Sequence, residues 1–541
     1  MNAPQTIAAD LDLADIQGNI LTAYGRLGFP KGRFLLLTVR DAEAGRAFVE
    51  FLRPRVTTAL RWPSSKPNRP TGKVVVPRPE VTVNIAFTFR GLLALGLPTR
   101  TLRGMPDDYI DGMAARASIL GDDVPGNSID AWDPVWARPG SPGYPHILVM
   151  LNARMRADGT AVPALETLTD TIIGFCDRSG GGVTICRGHR GGDDRWQDLS
   201  AILADRPDGS AVPTPREHFG FVDAIGDPAF QGQVPHDLAQ ARAVGQGKSD
   251  GRDNWSPIAT GEFLLGWPDE AQEIPGAAMP LSFSRNGTFF AYRKLHEDVG
   301  AFERWIGTTA EALARTWAIG DPAEARETLM AKLAGRWSDG VPLMAAPTFA
   351  DWDAFNRDYP EPADGSVNAE RARRLTAFGF REDPRGLKCP VGAHTRRMST
   401  RDMLDPHAGD PDPKHRAGSA LNNRRRILRR GLPYGGRDDP TGEQGIVMLA
   451  LCASLARQFE FVQQQWLNYG LDFGLGNDTC PLVGNHGPDA RFVIAADPER
   501  GISPFIASGI PQFVSMRGGD YFFMPSMTAL RMIAMGVVDP T

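Results

Sequence analysis

The chain has 541 residues, which is long enough for two or three domains and a sizeable buried core. Its 59 Lys and Arg residues against 64 Asp and Glu residues give a net charge of -5 at pH 7, so the bulk charge offers no reason to expect a nucleic-acid partner. Length and composition together exclude a disulfide-stapled mini-protein and a disordered chain.

The cysteines and the N-terminal residues indicate a cellular compartment. The five cysteines include no Cys-x-x-Cys pair, and their odd number argues against a complete intrachain disulfide framework. The first residues lack a basic start followed by an apolar run, and no window approaches the roughly 18 apolar residues that a membrane span requires. The sequence therefore predicts a cytoplasmic protein without a membrane partner.

The first third of the chain alternates strand and helix patterns. Residues 80–89 form the clearest predicted strand, because Val81, Val83 and Ile85 share one face and polar residues occupy the other. The remaining predicted elements are strands at 33–40, 146–151 and 182–186, a helix from Asp41 to Pro54, and a helix through Leu165 and Phe175. Their order, β-α-β-β-α-β, is the ferredoxin-like pattern.

The rest of the chain partly repeats this order. A turn-rich, charged stretch at 205–217 predicts a linker. The elements predicted after it are strands at 262–266, 288–295, 446–452 and 521–524 and helices at 302–318 and 459–467. We therefore predict an α+β protein of two ferredoxin-like units with antiparallel sheets, formed by residues 1–215 and 216–541, with a long insertion over about 338–430 in the second unit.

Two stretches carry polar groups in unusual surroundings. In residues 218–230, Asp223 lies among apolar residues that would bury it, which makes a carboxylate without a partner costly. On composition alone, a capping or turn Asp is the simpler interpretation. In residues 424–436, a run of arginines would ordinarily be a solvated face or a nucleic-acid patch. The interruption by Ile427 and Leu428 indicates that at least one arginine lies inside the fold.

A third stretch, residues 389–402, contains one histidine. His394 follows a small apolar run, and a single histidine is more often a satisfied core residue than a ligand. The arginines that trail it are Arg396, Arg397 and Arg401. Three guanidiniums suit an anionic cofactor, because Arg binds carboxylates through paired hydrogen bonds. For His407 and His415, a solvated polar loop is a simpler interpretation than a zinc site.

Short motifs occur in a fixed order along nearly the whole chain. They are IQGNIL at 16–21, FTFRGLLALGLP at 87–98, EFLLG at 262–266, RNGT at 285–288, GRW at 335–337, CPVGAHTRR at 389–397, ILRRGLPYG at 427–435 and QFEFVQ at 458–463. Together they resemble the dye-decolourising (DyP-type) haem peroxidases. The long insertions and the forms of the motifs around residues 389 and 427 are similar to the larger bacterial and fungal members.

The resemblance implies two ferredoxin-like domains and one haem b per chain, bound in the C-terminal unit. His394 matches the proximal iron ligand, Asp223 the distal Asp, and Arg429 the distal Arg, which gives Asp223 a charge partner. The haem propionates are then the expected partners of the arginines after the histidine, Arg396, Arg397 and Arg401. Glu460 is the candidate for the acid that hydrogen-bonds the proximal histidine.

Two positions depart from the family pattern. The family's GxxDG motif ends in Ala224 here, which replaces a glycine whose backbone approaches the haem closely. The Asn-Pro-Arg sequence after the proximal histidine is Ser399-Thr400-Arg401, which keeps the arginine and loses the proline turn. The first departure bears on the placement of Asp223 rather than on its chemistry.

The implied activity is that of a peroxidase, which reduces hydrogen peroxide and oxidises bulky organic reductants such as dyes and phenolics. Asp223 is expected to move a proton between the two peroxide oxygens, and Arg429 to stabilise the charge that develops as the O–O bond breaks. Reductants too large for the pocket would deliver electrons through a surface Trp or Tyr, which the sequence does not single out.

Two other classes of function stay open at this point. The chain could bind or transfer haem with little turnover, or it could be a haem-free α+β interaction module. The joint presence of Asp223, His394 and Arg429 favours the enzyme. The oligomeric state is left open.

Overall fold

The main structural element is a nine-stranded sheet whose paired strands run antiparallel. In the computed structural model, the described residues are 10–63, 76–136, 140–141, 143–223, 226–361, 368–436 and 442–538. The strands are β1 (Lys31–Val39), β2 (Val81–Phe87), β3 (Ile147–Ala153), β4 (Val183–Ile185), β5 (Gln197–Ser200), β6 (Thr288–Glu297), β7 (Leu428–Tyr434), β8 (Gly445–Cys452) and β9 (Val514–Met524). Their order is β7-β8-β6-β9-β2-β3-β1-β4, and β5 also pairs with β1.

The first unit has the predicted ferredoxin-like order. Helices α1 (Ala42–Leu52) and α2 (Ala164–Arg178) separate β1 from β2 and β3 from β4, and the strands lie in the order β2-β3-β1-β4. Helix α1 begins after Asp41, whose carboxylate accepts a hydrogen bond from the Ala44 amide at 2.8 Å, as expected of an N-cap. Its buried face packs on the sheet and includes Phe48 and Leu52. The prediction for this unit is confirmed.

The second unit repeats the same topology. It runs through β6, helix α3 (Val299–Trp317), β7, β8, a π-helical segment (Leu455–Glu460 and Val462–Leu467) and β9. The strand order β7-β8-β6-β9 matches that of the first unit, strand for strand. The predicted strands at 288–295, 446–452 and 521–524 and the predicted helix at 302–318 are therefore confirmed.

The strand predicted at 262–266 is wrong. Thr260–Glu262 form a 3-10 turn, and Gly266 has a positive φ of 77°, which an extended strand does not adopt. The Glu262 carboxylate is buried and lies 3.1 Å from the Arg457 guanidinium, so the apolar residues of this segment enter the core from a loop. Such a short apolar run has no periodicity to distinguish a strand from a buried loop.

The fourth strand of the second unit is β7, which takes the place of the strand predicted at 262–266. It begins at Leu428, inside the segment predicted as an insertion, and it carries Arg429. Gly431 on this strand has φ of +124°, and a Cβ atom there would lie 1.8 Å from the Val447 carbonyl oxygen of β8. Only glycine therefore allows β7 to approach β8 at this position.

The segment between α3 and β7 is mostly irregular. Its principal helices are α4 (Pro322–Ala334), α5 (Phe349–Asp358) and α6 (His394–Met398), and α7 (Met527–Met535) follows β9. The other α-helices of the described residues are Gly18–Leu21, Phe89–Ala94, Thr99–Leu102, Asp107–Asp111, Ala117–Leu120, His236–Ala243, Leu281–Ser284, Ala369–Arg374 and Ala420–Asn423. The two-stranded hairpins are Asp123–Val124 with Asn127–Ser128, Leu203–Asp205 with Ala211–Pro213, Lys248–Ser249 with Trp255–Ser256, and Arg491–Ile494 with Phe505–Ser508. Among the described residues, none of the helices has the length and apolar character needed to cross a bilayer.

Within the sheet, very little backbone pairing joins the two units. Strands β9 and β2 are paired at Phe523 and Phe87 only, among the described residues. Strands β7 and β5 approach each other, but no ladder pairs them in the described part of the chain, so the sheet does not close into a barrel there.

Gln17 ties the units together beside this narrow junction. Its amide nitrogen donates to the carbonyl oxygens of Ile85 and Pro525, each at 2.9 Å, so one side chain contacts both units. Its amide oxygen accepts hydrogen bonds from the Ile85 backbone and the Asn84 side chain at 3.0 and 3.1 Å. Gln17 is completely buried, so these partners would have no water to replace it.

We expect Gln17→Leu to destabilise the protein by about 3 kcal/mol, because a buried amide or carbonyl group left without a hydrogen bond costs roughly 1–3 kcal/mol. The measurement is the midpoint of chemical denaturation. The control is Gln464→Leu, since Gln464 is exposed. Equal midpoints for the two variants would show that Gln17 does not hold the junction.

Candidate functional site

An internal cavity of about 830 Å³ lies against the second unit's sheet. This is within the range of about 300–1,000 Å³ that is typical of small-molecule and cofactor sites. Strand β8 supplies Ile446 and Met448 to the wall, and β6 supplies Leu295. The loop before residue 223, the segment that begins at α6, and β7 complete the wall.

Asp223 and Arg429 form an ion pair in this cavity. Nη1 of Arg429 donates to Oδ1 of Asp223 at 2.6 Å, although the two residues are 206 positions apart. The side chain of Arg429 is 39% accessible and that of Asp223 is 44% accessible, and both face the cavity. The charge of Asp223, against the opposing effect of burial, raises the pKa of Arg429 above its usual value.

Each partner is placed by backbone geometry. Along β7, Arg429 is half-buried and binds Asp223, whereas its neighbour Arg430 is buried and binds the Asp227 carboxylate at 3.0 Å. The Asp223 loop is fixed at two points, because the Asp223 amide donates to Pro215 at 2.7 Å and the Val222 amide donates to Ser338 at 2.9 Å. The pair therefore joins two independently supported segments.

His394 lines the same cavity as the first residue of α6. Its Nδ1 lies 3.3 Å from Sγ of Cys480, within hydrogen-bonding distance for sulfur. With Nδ1 engaged in this way, Nε2 is the ring nitrogen left to bind a ligand in the cavity. Burial alone would raise the pKa of the Cys480 thiol, but a positive charge on His394, together with that of Arg397, lowers it to about 7. A neutral imidazole that binds a metal does not carry that charge and leaves the sulfur as a thiol.

Glu460 does not contact His394. Its carboxylate forms hydrogen bonds with the Arg116 guanidinium, one of them at 2.7 Å, and accepts another from the Tyr521 hydroxyl at 2.7 Å. The expectation that Glu460 is the partner of His394 is therefore wrong. No local signal points to Cys480 instead, because it lies 86 residues from His394 in the chain.

The three arginines that follow His394 have different surroundings. Arg396 is fully buried and binds the Asp383 carboxylate at 2.9 Å, and neither it nor Arg397 lines the cavity. Arg397 donates to backbone carbonyls, including that of Asp478 at 2.8 Å. Arg401 does line the cavity, where its guanidinium lies 3.9 Å from the centre of the Phe378 ring. The structure thus separates Arg401 from Arg396 and Arg397.

Arg336 and Arg426 also line the cavity, and sequence reasoning assigned neither of them a role. Burial lowers the pKa of each to about 10. Burial and the nearby charges of these two residues lower the pKa of Arg401 as well. Within the described parts of the chain, none of the three forms an ion pair with a carboxylate.

Two further carboxyl groups, to which the sequence alone assigned no role, lie beside Asp223. Glu217 accepts hydrogen bonds from the amides of Phe219 and Phe221, each at 2.7 Å. These bonds lower its pKa, but the effect of burial is larger and raises the pKa to about 7. Glu297, at the end of β6, hydrogen-bonds to Glu217. Burial and the charge of Glu217 raise the pKa of Glu297 well above its usual range, so Glu297 carries a proton at neutral pH.

His407 and His415 lie away from the cavity. They are on an exposed loop, where Nδ1 of His415 is 2.9 Å from Oδ2 of Asp410. No cluster of three or more His, Cys, Asp or Glu side chains suited to a metal ion occurs among the residues that the structure describes.

Comparisons with a family model and with known sequences point to the same family. Residues 15–157 match the family described as the DyP dimeric alpha+beta barrel domain. Peroxidase 2 of Mycetinis scorodonius is 26% identical over 550 residues, covering 96% of this chain and 87% of the relative. The chain belongs to the dye-decolourising (DyP-type) peroxidase family. The multifunctional dye peroxidase DyP2 of Amycolatopsis sp. is 30% identical over 329 residues, covering 58% of this chain and 60% of the relative.

The fold of this DyP-type chain is also that of a solved fungal relative. The crystal structure of a DyP-type peroxidase from Auricularia auricula-judae superposes with a TM-score of 0.70. The sequences are 22% identical, and the alignment covers 97% of this chain and all of that one. The predicted α+β fold class is confirmed.

The cavity of this DyP-type chain fits a dianionic haem. Arg336, Arg401 and Arg426 are buried cations at its wall, and two propionates would supply the carboxylates that they lack among the described residues. His394 offers a nitrogen ligand for iron in the same space. Ala224, the departure from the family's GxxDG motif, lies outside the described residues.

We expect Glu297→Gln to become increasingly stable relative to the wild type as pH rises from about 4.5 to 7. Above pH 4.5 the carboxyl ionises in the unfolded chain but keeps its proton in the folded one, so folding of the wild type loses up to about 1.4 kcal/mol per pH unit. Gln has no proton to lose. The measurement is the thermal midpoint at several pH values, with exposed Glu499→Gln as control. A difference that is constant with pH would contradict the protonated state of Glu297.

Proposed function

We propose that this DyP-type chain is a haem-dependent peroxidase that reduces hydrogen peroxide and oxidises bulky organic reductants such as dyes and phenolics. The observation that supports this most directly is the content of one cavity. Distant parts of the chain place the Asp223–Arg429 ion pair and His394 at the same internal space. A carboxylate, a cation and an imidazole are the groups that peroxide cleavage at iron requires.

The proposed cofactor is one haem b per chain. His394 would hold the iron through Nε2, and Arg336, Arg401 and Arg426 would bind the propionates. The apolar side chains of β6 and β8, among them Leu295 and Met448, would contact the porphyrin. When bound, haem supplies the redox-active iron at which peroxide is reduced.

Asp223 and Arg429 divide the remaining work. The Asp223 carboxylate would take a proton from one oxygen of hydrogen peroxide and return it to the other, which would leave as water, and the bound haem would supply the two electrons. The Arg429 guanidinium, bound to Oδ1 of Asp223, orients that carboxylate and stabilises the negative charge that develops as the O–O bond breaks. Both groups line the cavity, where the lower dielectric constant of the surrounding protein would strengthen each electrostatic interaction.

Several further features stay predictions. They are a cytoplasmic location, the division into residues 1–215 and 216–541 with an insertion over about 338–430, and a surface Trp or Tyr that accepts electrons from large dyes. The electrostatics of the chain continue to favour small-molecule over nucleic-acid partners, since the net charge is -5.

We expect His394→Ala to purify with little or no haem, because only apolar contacts and the propionate pairs would then hold the cofactor. The measurement is the haem content and Soret band of the purified protein, with and without added imidazole, which should partly restore both. The control is His407→Ala, on the exposed loop, which should retain full haem. A haem-replete His394→Ala protein with an unchanged Soret band would exclude His394 as the ligand.

We expect Asp223→Asn and Arg429→Leu each to keep haem and to slow its reaction with peroxide. Loss of a proton-transfer group costs about 10²–10⁴-fold, and loss of a charge-stabilising group about 10²–10³-fold. The two effects should not add, because the residues act as a pair. Stopped-flow absorbance gives the bimolecular rate, with exposed Asp237→Asn as control. Rates within twofold of the wild type for both variants would remove the pair from the mechanism.

A further inference from the structure

The partner of His394 is a sulfur atom. A histidine that binds a metal nearly always donates its second ring N–H to a carboxylate, a backbone carbonyl or water. Here the atom in that position is Sγ of Cys480, 3.3 Å from Nδ1. Cys480 is completely buried, so the contact is shielded from solvent.

The backbone holds this sulfur in place. The Cys480 amide donates to the Leu467 carbonyl at 2.7 Å, and its own carbonyl accepts the Gly484 amide at 3.0 Å. The backbone of Cys480 is therefore fixed relative to the end of the π-helical segment, independently of the side chain of His394.

Arg397 provides a second, independent connection between the two segments. Its guanidinium donates to the carbonyl of Gly392, two residues before His394, at 3.2 Å. It also donates to the carbonyl of Asp478, two residues before Cys480, at 2.8 Å. Arg397 is fully buried, so these bonds fix the distance between the segments that carry the imidazole and the sulfur.

We propose that Cys480 is a positioning residue, which accepts the Nδ1–H hydrogen bond of the iron-binding histidine and sets how strongly that histidine donates electrons to iron. The proposal rests on the proposed haem site. Sulfur is a weak hydrogen-bond acceptor, whereas a carboxylate forms charge-assisted bonds about twice as strong as neutral ones. Because the strength of this bond controls the basicity of the imidazole, sulfur makes His394 a weaker donor than a carboxylate partner would.

A weaker donor stabilises ferric iron less. The ferric/ferrous reduction potential of the wild type should therefore lie above that of a variant with a carboxylate at position 480 and below that of a variant without any acceptor there. The Arg397 guanidinium, which is close to Cys480, is available to compensate the charge of a carboxylate at this position. Arg397 is thus a reason to expect that Cys480→Asp folds.

The experiment uses the haem-loaded full chain and four variants, Cys480→Asp, Cys480→Ser, Cys480→Ala and the control Cys452→Ala, which removes another buried thiol. The readouts are the ferric/ferrous potential and the Fe–His stretching frequency of the ferrous protein. We expect Cys480→Asp to lower the potential and raise the frequency, and Cys480→Ala to do the reverse. Cys452→Ala should leave both unchanged.

The outcomes separate this inference from the proposed function. Potential and frequency equal to the wild type in both Cys480→Asp and Cys480→Ala would overturn the role of Cys480 while leaving the peroxidase assignment intact. If Cys480→Asp does not fold, Cys480→Ser decides, since its hydroxyl should keep the frequency above that of Cys480→Ala, and equality of the two overturns the role. A wild-type chain that binds no haem, or that shows no Fe–His band, would overturn both proposals.

Discussion

The structure depends on how a buried cavity accommodates charge. Arg336, Arg401 and Arg426 are placed at its wall, and none has a carboxylate partner among the described residues. An unpaired buried cation costs several kcal/mol, so such a site is favourable only when anionic groups enter it. The cavity therefore suits a ligand with more than one carboxylate, which is the property, together with His394, on which the proposed haem site rests.

The carboxyl groups of the same cavity avoid the cost of an unpaired buried charge in two other ways. Asp223 forms an ion pair with the Arg429 guanidinium, at 2.6 Å. Glu217 and Glu297 form no ion pair in the described part of the chain, and burial raises the pKa of both carboxyl groups. The carboxylate of Asp223, to which we assign proton transfer, is thus the one of the three that has a cation bound to it, while burial favours the protonated form of its two neighbours.

The ferredoxin-like topology explains why adjacent residues have different roles. Along β7, Arg429 binds Asp223, whereas Arg430 is buried and binds the Asp227 carboxylate and the carbonyl oxygens of Asn19 and Ile20, at 2.7–3.0 Å. One arginine serves the site and the next attaches the strand to the N-terminal segment. The same N-terminal segment contains Gln17, so the motif at 16–21 is structural and acts at the junction of the two units.

Local pattern was sufficient for most of the fold. Alternation and helical spacing predicted seven of the strands and three of the helices that build the two units, because burial of one face imposes a period on the sequence. Motif order predicted the family and the cavity residues Asp223, His394, Arg401 and Arg429. There were two exceptions. The apolar run at 262–266 has no hydrophobic periodicity, and the arginines of β7 obscure the alternation that would predict a strand.

Only the tertiary structure decided which polar groups meet. It placed Arg396 and Arg397 in structural networks, moved the partner of His394 from Glu460 to Cys480, and brought Arg336, Arg426 and the carboxyl pair to the cavity. The contacts of Arg396, Arg397 and His394 join residues 13, 81 and 86 positions apart, and the Asp223–Arg429 pair joins residues 206 positions apart. A hydrogen bond depends on distance and direction in space, which a local sequence pattern does not encode when the partners come from separate elements.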